Sequence, residues 1–310
     1  MSVAETLKNS KKTLFSFEIL PPLKGKGIDI IYNTVDPLMQ FNPSFITITS
    51  HREQYDAQKN RVRRRPGTVA IAAALKYKYH IPVVPHILCG GFTQSETEYV
   101  LIDLHFLGIT DILALRGDSL KTDTEYIPEP QGNAYAEDLL RQIANMNKGK
   151  QLNDSDYFQS NPTNFSCAVA GYPEKHYASA DFETDIAFLK RKVDAGAEYI
   201  ITQMFFDNAV YFDFVNRCRK AGITIPIVPG IKPIGFQSQL TVLPQLFHTK
   251  LPEALTKELG ACKSDAEARI VGTEWAIMQA KELVQNNVPS LHLYTYSSSQ
   301  QSIEIAQAVL

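Results

Sequence analysis

At 310 residues, 44% apolar and 21% charged, the chain can bury a large core as one big domain or two smaller ones, and its composition is that of a globular protein. Lys and Arg (31) nearly balance Asp and Glu (33), and the net charge of −2 excludes a field that gathers nucleic acid or an anionic membrane surface. Cys89, Cys167, Cys218 and Cys262 lie far apart, without CxxC or Cys/His spacing, which argues against a disulfide framework or structural zinc and predicts a reducing, cytoplasmic compartment. The opening "MSVAETLKNSKK" lacks the apolar centre of a signal peptide, and no run approaches the length of a membrane span.

In chain order, after a polar extension over residues 1–12, short β-rich runs recur: "LFSFEIL", "SFITITS", "IPVVPHIL", "DILALRG", "NFSCAVAG", "EYIITQMFF", "IPIVPGI" and "SLHLYTY". Each is rich in Val, Ile, Phe, Tyr or Thr and is bounded by Pro, Gly, Asn or Asp. Helical period separates them. Thr93 with Glu96 has the spacing of a capping box before "YVLIDLHFLG". In "DIAFLKRKVDAG", Ile186, Leu189 and Val193 share a face and Gly196 stands where a helix ends. Ser264 with Glu267 opens a long helix through Trp275 towards Asn286.

Strand–helix alternation implies a parallel sheet with right-handed crossovers. Eight such units predict an α/β fold of the (β/α)₈ barrel type, a TIM barrel, for which about 250 residues are typical. The runner-up is a doubly wound open sheet, disfavoured because no GxGxxG follows the first strand. The polar stretches within 119–134 and 147–164 read as loop insertions in a single catalytic domain over 1–310.

A parallel barrel places chemistry at the carboxyl ends of its strands. Those ends carry Glu18, Thr49 to His51, His86, Arg116 to Asp118, Tyr172 to His176, Gln203, Lys232 and Tyr294. In "FSFEILPP", alternation sends Phe15, Phe17 and Ile19 outward under the helices and turns Ser16 and Glu18 into the barrel. An inward carboxylate either works or is satisfied by a basic partner. "LALRGD" contains an Arg-Gly-Asp tripeptide, but it directly follows a buried strand, where Gly117 suits backbone approaching a ligand better than adhesion. No His/Asp/Glu spacing fixes a metal, and neither a GxSxG elbow nor a P-loop is present. Lys190 and Lys192 fall on one helix and face solvent or the barrel mouth. The basic run "RVRRRPG", residues 61–67, reads as a solvated loop leading into a helix, with an anionic-ligand contact as the alternative. The residues alone thus give a barrel enzyme with an inward glutamate and no defined reaction.

"FSFEILPP", "FITIT", "PHILC", "ILALRGD", "AYAEDL", "VAGYPEKH", "FLKRKVDAGA", "YIITQMFFD", "PIVPGIKPI" and "LHLYTY" together resemble the methylenetetrahydrofolate reductases, in the family's order from about residue 13 to the end. The resemblance is to the bacterial single-domain form. It implies a flavoprotein whose FAD takes hydride from NADH or NADPH and passes it, in ping-pong fashion, to 5,10-methylenetetrahydrofolate, yielding 5-methyltetrahydrofolate for methionine synthesis. It also implies a homo-oligomer acting on small molecules, with no nucleic-acid or membrane partner. The regulatory domain of mammalian-type members is expected to be absent.

By the same resemblance, Glu18 is the general acid that protonates the leaving folate nitrogen. A carboxyl in an apolar barrel interior is expected to have a raised pKa, which suits that role. Asp118 corresponds to the aspartate that contacts the pterin and tunes the flavin, and Gln203 to the glutamine that binds folate. Phe236 is the stacking aromatic after the seventh strand, and Tyr294 is a further substrate contact. The flavin positions are Thr49, His86, Leu115, Arg116, Gly117, Asp118, Tyr135, Ala136, Tyr172, His176, Asp185 and Lys192. Two departures stand out: the family's "FYTLNR" reads "LYTYSSS" here, removing an arginine near the folate tail, and the loop "HREQYDAQKNRVRRRPG" is longer and more basic. A polyglutamate contact from Arg61 to Arg65 is one expectation for that loop. A barrel without flavin, using Glu18 as acid/base on another heterocycle, remains the alternative.

Overall fold

The computed structural model describes all residues except 53, 56–57, 59–60, 120–125, 153–159 and 297–298. The eight runs form strands β1 (Leu14–Ile19), β2 (Phe45–Ile48), β3 (Val83–Leu88), β4 (Asp111–Leu115), β5 (Ser166–Gly171), β6 (Ala197–Thr202), β7 (Ile227–Val228 and Gly230–Ile231) and β8 (Ser290–Tyr296). Every neighbouring pair is parallel. Pro229 has no N–H to give to a ladder and splits β7 in two. The first segment pairs with β6 and the second with β8, so β7 closes the ring and the sheet is a (β/α)₈ barrel.

Helices α1 (Val3–Asn9), α2 (Asp29–Val35), α3 (Thr68–Tyr79), α4 (Gln94–Phe106), α5 (Ala136–Met146), α6 (Phe182–Asp194) and α7 (Asn208–Lys220) precede β7, and α11 (Gln300–Val309) ends the chain. Between β7 and β8 lie three helices, α8 (Gln239–Phe247), α9 (Glu253–Ala261) and α10 (Asp265–Gln285), of which sequence periodicity marked only α10. The Thr93–Glu96 capping box forms in both directions. The Ser264 hydroxyl accepts from Glu267 N at 3.2 Å, but the Glu267 carboxylate accepts from Lys263 N instead of completing the box. Gly196 has φ of +121°, a left-handed geometry that suits the residue closing α6.

The main core lies between sheet and helices. Phe15, Phe17 and Ile19 pack outward there with Ile31, Val35, Leu38, Ile71 and Leu75, as alternation requires. The barrel lumen holds a second cluster of Phe45, Val84, Leu113, Ala168, Tyr199 and Val228. Helix α1 buries Val3, Ala4 and Leu7 against that cluster, and Val3 N donates to Asp111 Oδ1 at 2.8 Å. Residues 1–12 therefore contribute to closing the barrel at its amino end, opposite the site. No helix among the described residues is long and apolar enough to cross a membrane.

Candidate active site

Ser16 and Glu18 point into the barrel, and Glu18 finds its partners on β2 and β3 rather than on its own strand. The Thr49 hydroxyl donates to Glu18 Oε1 at 2.9 Å, and the Thr47 hydroxyl lies 3.3 Å from Oε2. His86 Nε2 approaches the same Oε2 to 3.2 Å, an ion-pair distance without hydrogen-bond alignment. The Glu18 side chain is 14% exposed.

This surrounding reverses one expectation. Burial is the largest influence and pushes the Glu18 pKa up, but the neighbouring imidazole of His86, together with His292 and the Thr49 hydroxyl, pulls it down, and the result lies below the ordinary glutamate value. The lumen around Glu18 is lined by imidazoles and hydroxyls rather than by hydrocarbon. Apolarity alone could not foresee that.

At the end of β4, Arg116 and Gly117 are half-buried and Asp118 is exposed. Arg116 Nε donates to Gly117 O at 3.3 Å, and its guanidinium lies 4.7 Å from the centre of the Tyr126 ring, so the arginine of this tripeptide is folded against its neighbours while Asp118 is exposed. Gly117 has φ of +86°, which only glycine adopts without strain. Leu115 ends the strand beside it. After β5, Tyr172 and His176 meet edge to face at 4.6 Å.

Lys192 does not face solvent. Its Nζ reaches inward from α6 to donate to Ala170 O at 2.8 Å, whereas Lys190 pairs with Asp194 at the surface. Burial, opposed by Asp185 and assisted by Arg116, lowers the Lys192 pKa to about 8. Burial and the charges of Arg116, Lys192 and Lys175 lower that of His176 to about 4. Asp185 is buried and accepts from the Ser179 hydroxyl at 2.8 Å. Tyr135 caps α5 and is exposed, with Ala136 buried behind it.

On the far side, Gln203 N donates to Gly171 O at 2.8 Å, and Gln203 Oε1 accepts from Met204 N at 2.9 Å. The Tyr294 hydroxyl crosses to Thr202 O at 2.6 Å. Lys232, lowered by burial to about 8, lies 3.4 Å from Tyr294 O. Phe236 is 55% exposed on the rim, its backbone N–H and that of Gly235 both donating to Gln239 Oε1. Of the basic run, Arg63 and Arg64 are exposed and Arg65 donates to Pro21 O; the side chain of Arg61 lies outside the described residues. Glu18, Thr49 and His86 are thus in direct contact, the Arg116–Lys192 group forms a separate cationic edge, and Tyr135 and Phe236 stand apart on the surface.

Sequence reasoning missed His292, Thr47, Arg52 and Tyr126. His292 is fully buried inside the barrel between Thr47 and Ser16. The signal was present: in "SLHLYTY", His292 shares parity with Tyr294, so both face the lumen. Arg52 and Tyr126 lie in loops, where no periodicity announces a direction.

The fold and this lining define a barrel enzyme whose mouth pairs one hydrogen-bonded carboxyl with a cationic edge. The family model "Methylenetetrahydrofolate reductase" matches residues 3–309, and the chain belongs to that family. It is 31% identical over 297 residues to the 5,10-methylenetetrahydrofolate reductase of Escherichia coli (strain K12), covering 95% of this chain and 90% of that protein. It is also 31% identical over 318 residues to methylenetetrahydrofolate reductase (NADH) 1 of Arabidopsis thaliana, covering 98% of this chain and 50% of that protein. The chain spans about half the length of the plant relatives it matches. A solved structure of an uncharacterized protein from Clostridium thermocellum, described as binding two copies of 5-methyl-5,6,7,8-tetrahydrofolic acid, superposes with a TM-score of 0.60 at 12% identity over 98% of both chains. At that identity the likeness concerns the fold.

Proposed function

We propose that this protein reduces 5,10-methylenetetrahydrofolate to 5-methyltetrahydrofolate with NADH or NADPH, using FAD. The observation that carries the reading is Glu18, a carboxyl inside the barrel with hydroxyl donors on both oxygens, in a chain that belongs to the reductase family over nearly its whole length.

The residues fit a dinucleotide flavin. Arg116, Lys175 and Lys192 form a cationic edge whose charges depress the pKa of His176 between them, a setting that an anionic diphosphate relieves. Of the seven buried side-chain polar atoms that find no hydrogen-bond partner among the described residues, three are His86 Nε2, Arg52 Nη1 and Tyr126 Oη. Arg52, Tyr126 and Arg116 gather around Gly90, at the ends of β3 and β4. Buried donors in that condition ask for acceptors. Lys192, Arg116 and His176 would hold the phosphates, Asp185 and Tyr135 the remainder of the dinucleotide, and Thr49, His86, Leu115 and Gly117 the ring system. FAD, when bound, supplies two-electron hydride relay between nicotinamide and folate.

Glu18 supplies the proton. The methylene bridge of the folate opens when its N10 takes a proton from Glu18: the C–N10 bond breaks, the electron pair stays on N10, and the carbon is left as an N5 iminium able to accept hydride. Glu18 becomes a carboxylate, stabilised where it stands by Thr49, Thr47 and His86. Those same groups hold its pKa down; Thr49, His86, Leu115 and Gly117 would hold the flavin ring system beside it, and the loss of water there would favour the protonated form of Glu18. Asp118 and Gln203 would orient the pterin, Phe236 would stack on either substrate, and Tyr294 would line the folate side.

The test is the absorbance of the purified or FAD-reconstituted protein, followed by anaerobic NADH and then methylenetetrahydrofolate. Flavin bands that bleach and then return support both halves of the reading. Bands that bleach without returning remove the folate. A protein that takes up no flavin leaves a barrel using Glu18 on another heterocycle.

A further inference from the structure

Below Glu18 runs a buried polar chain that the proposed reaction does not require by itself. Thr47 Oγ1 lies 3.2 Å from His292 Nε2, His292 Nδ1 lies 3.0 Å from Ser16 Oγ, and Ser16 Oγ lies 3.1 Å from Ser290 Oγ. Ser16, Thr47, Ser290 and His292 are all 0% exposed, so no solvent substitutes for a missing partner. Phe45 stacks on the imidazole at 5.8 Å with 12° between the planes and fixes the ring.

The Thr47 hydroxyl owns one hydrogen and faces two acceptors, Glu18 Oε2 and His292 Nε2. If His292 carries its proton on Nδ1, the Nε2 lone pair claims that hydrogen and Thr47 turns oxygen lone pairs towards the carboxylate. If His292 carries it on Nε2, the ring donates to Thr47 and Thr47 donates to Glu18; at the other end Ser290 donates to Ser16 and Ser16 to Nδ1. Only the second arrangement satisfies every member of the chain beside an ionised Glu18. The two oxygens of Glu18 then differ. Oε2 is committed to Thr47, on the side where His86 also stands. Among the described residues Oε1 has a hydrogen bond from Thr49 alone, whose hydroxyl has a second acceptor, Ile19 O at 3.0 Å, and can therefore accept a proton's hydrogen bond as readily as donate one.

Ser16 can also donate to Leu291 O at 3.3 Å, so the choice of tautomer is made at the Glu18 end. We propose that His292 is a positioning residue for Glu18: as the Nε2–H tautomer, with Nδ1 accepting from Ser16, it commits the Thr47 hydrogen to Oε2 and confines the transferable proton to Oε1. The inference rests on the reading of Glu18 as the acid. His292 is neutral in this role, since burial lowers its pKa to about 4. The titratable groups that face it are Glu18 and His86, with the Tyr294 ring 5.4 Å away; those that act on Glu18 are His86 and His292.

The experiment is ¹⁵N NMR of the full chain labelled at histidine, together with His292→Gln, which keeps a donor near the Nε2 position, and His292→Leu, which does not. The unaltered protein is expected to show Nε2–H for His292. His292→Leu is expected to slow the folate half-reaction about 10-fold more than flavin reduction, the effect of one lost ordering hydrogen bond, and to shift its pH profile, with His292→Gln restoring most of the loss. An Nδ1–H resonance overturns the proposal even if neither variant folds, and so does a folded His292→Leu with an unchanged pH profile. Failure of the underlying reading looks different: Glu18→Gln would then turn over folate normally, whereas an inactive Glu18→Gln with an Nδ1–H His292 defeats this inference alone.

Discussion

His86 Nε2 stands 3.2 Å from Glu18 Oε2, although the two residues lie on β3 and β1 and the whole of β2 separates those strands. The contact passes in front of β2, which supplies the Thr47 hydroxyl and, directly after its last residue, the Thr49 hydroxyl as donors to Glu18. Glu18 on β1 is therefore held by residues of two other strands, β2 and β3, a geometry that a barrel interior provides and a single loop does not.

Lys192 offers a test of the cationic edge. Its pKa of about 8 means that its charge is lost as pH rises through that value. FAD affinity is expected to fall above pH 8 in the unaltered protein. Lys192→Met should bind FAD about 10-fold more weakly at neutral pH and lack that pH dependence, as flavin fluorescence titration would show. Equal affinity in both would remove Lys192 from the flavin contacts.

Gly230 faces the lumen where the Tyr294 side chain crosses. A Cβ added there would lie 2.5 Å from Thr202 O and 2.6 Å from the Tyr294 ring. Gly230→Ala is expected to displace Tyr294 from Thr202 and cost about 1–3 kcal/mol in urea unfolding, with a raised KM for folate. An unchanged KM in a destabilised variant would restrict Tyr294 to a structural role.

Much of this was legible beforehand. Phe15, Phe17 and Ile19 against Ser16 and Glu18 fixed the faces of β1 by parity alone, and the eight β-rich runs became the eight barrel strands. The sign of the Glu18 pKa shift was not legible, because it depends on His86 and His292, brought alongside only when the sheet closes. Helices α8 and α9 were missed for a related reason. Leu243, Leu255 and Leu259 bury into a small separate cluster with Met204, Phe206 and Ile234, and their short helices take their form from that packing.

Leu7 separates folding from function. It packs α1 under the barrel at the end away from the site. Leu7→Ala should lose about 2–3 kcal/mol in urea unfolding while flavin reduction and folate turnover persist. Loss of activity in a variant that remains folded would mean that the amino end is coupled to the mouth.

The buried histidine also shapes acid stability. His292 has a folded pKa of about 4 against an ordinary 6.5, so between those values the unfolded chain binds the extra proton and stability falls as pH drops. The full cost is about 3 kcal/mol, reached near pH 4 and absent above about pH 6.5. His292→Gln, which cannot titrate, should flatten part of that slope in urea melts across the window; His176, also lowered to about 4, accounts for a share of the remainder.

In the proposed reaction Glu18 delivers a proton to the folate and takes no part in receiving hydride from the nicotinamide. Glu18→Gln, loaded with FAD and followed anaerobically by stopped-flow absorbance, tests it most directly. The prediction is flavin reduction by NADH within about threefold of the unaltered rate and reoxidation by methylenetetrahydrofolate slowed at least 100-fold, the low end of what a positioned general acid contributes. Reoxidation at the unaltered rate would contradict the assignment and return Glu18 to the status of a buried carboxyl satisfied by its neighbours.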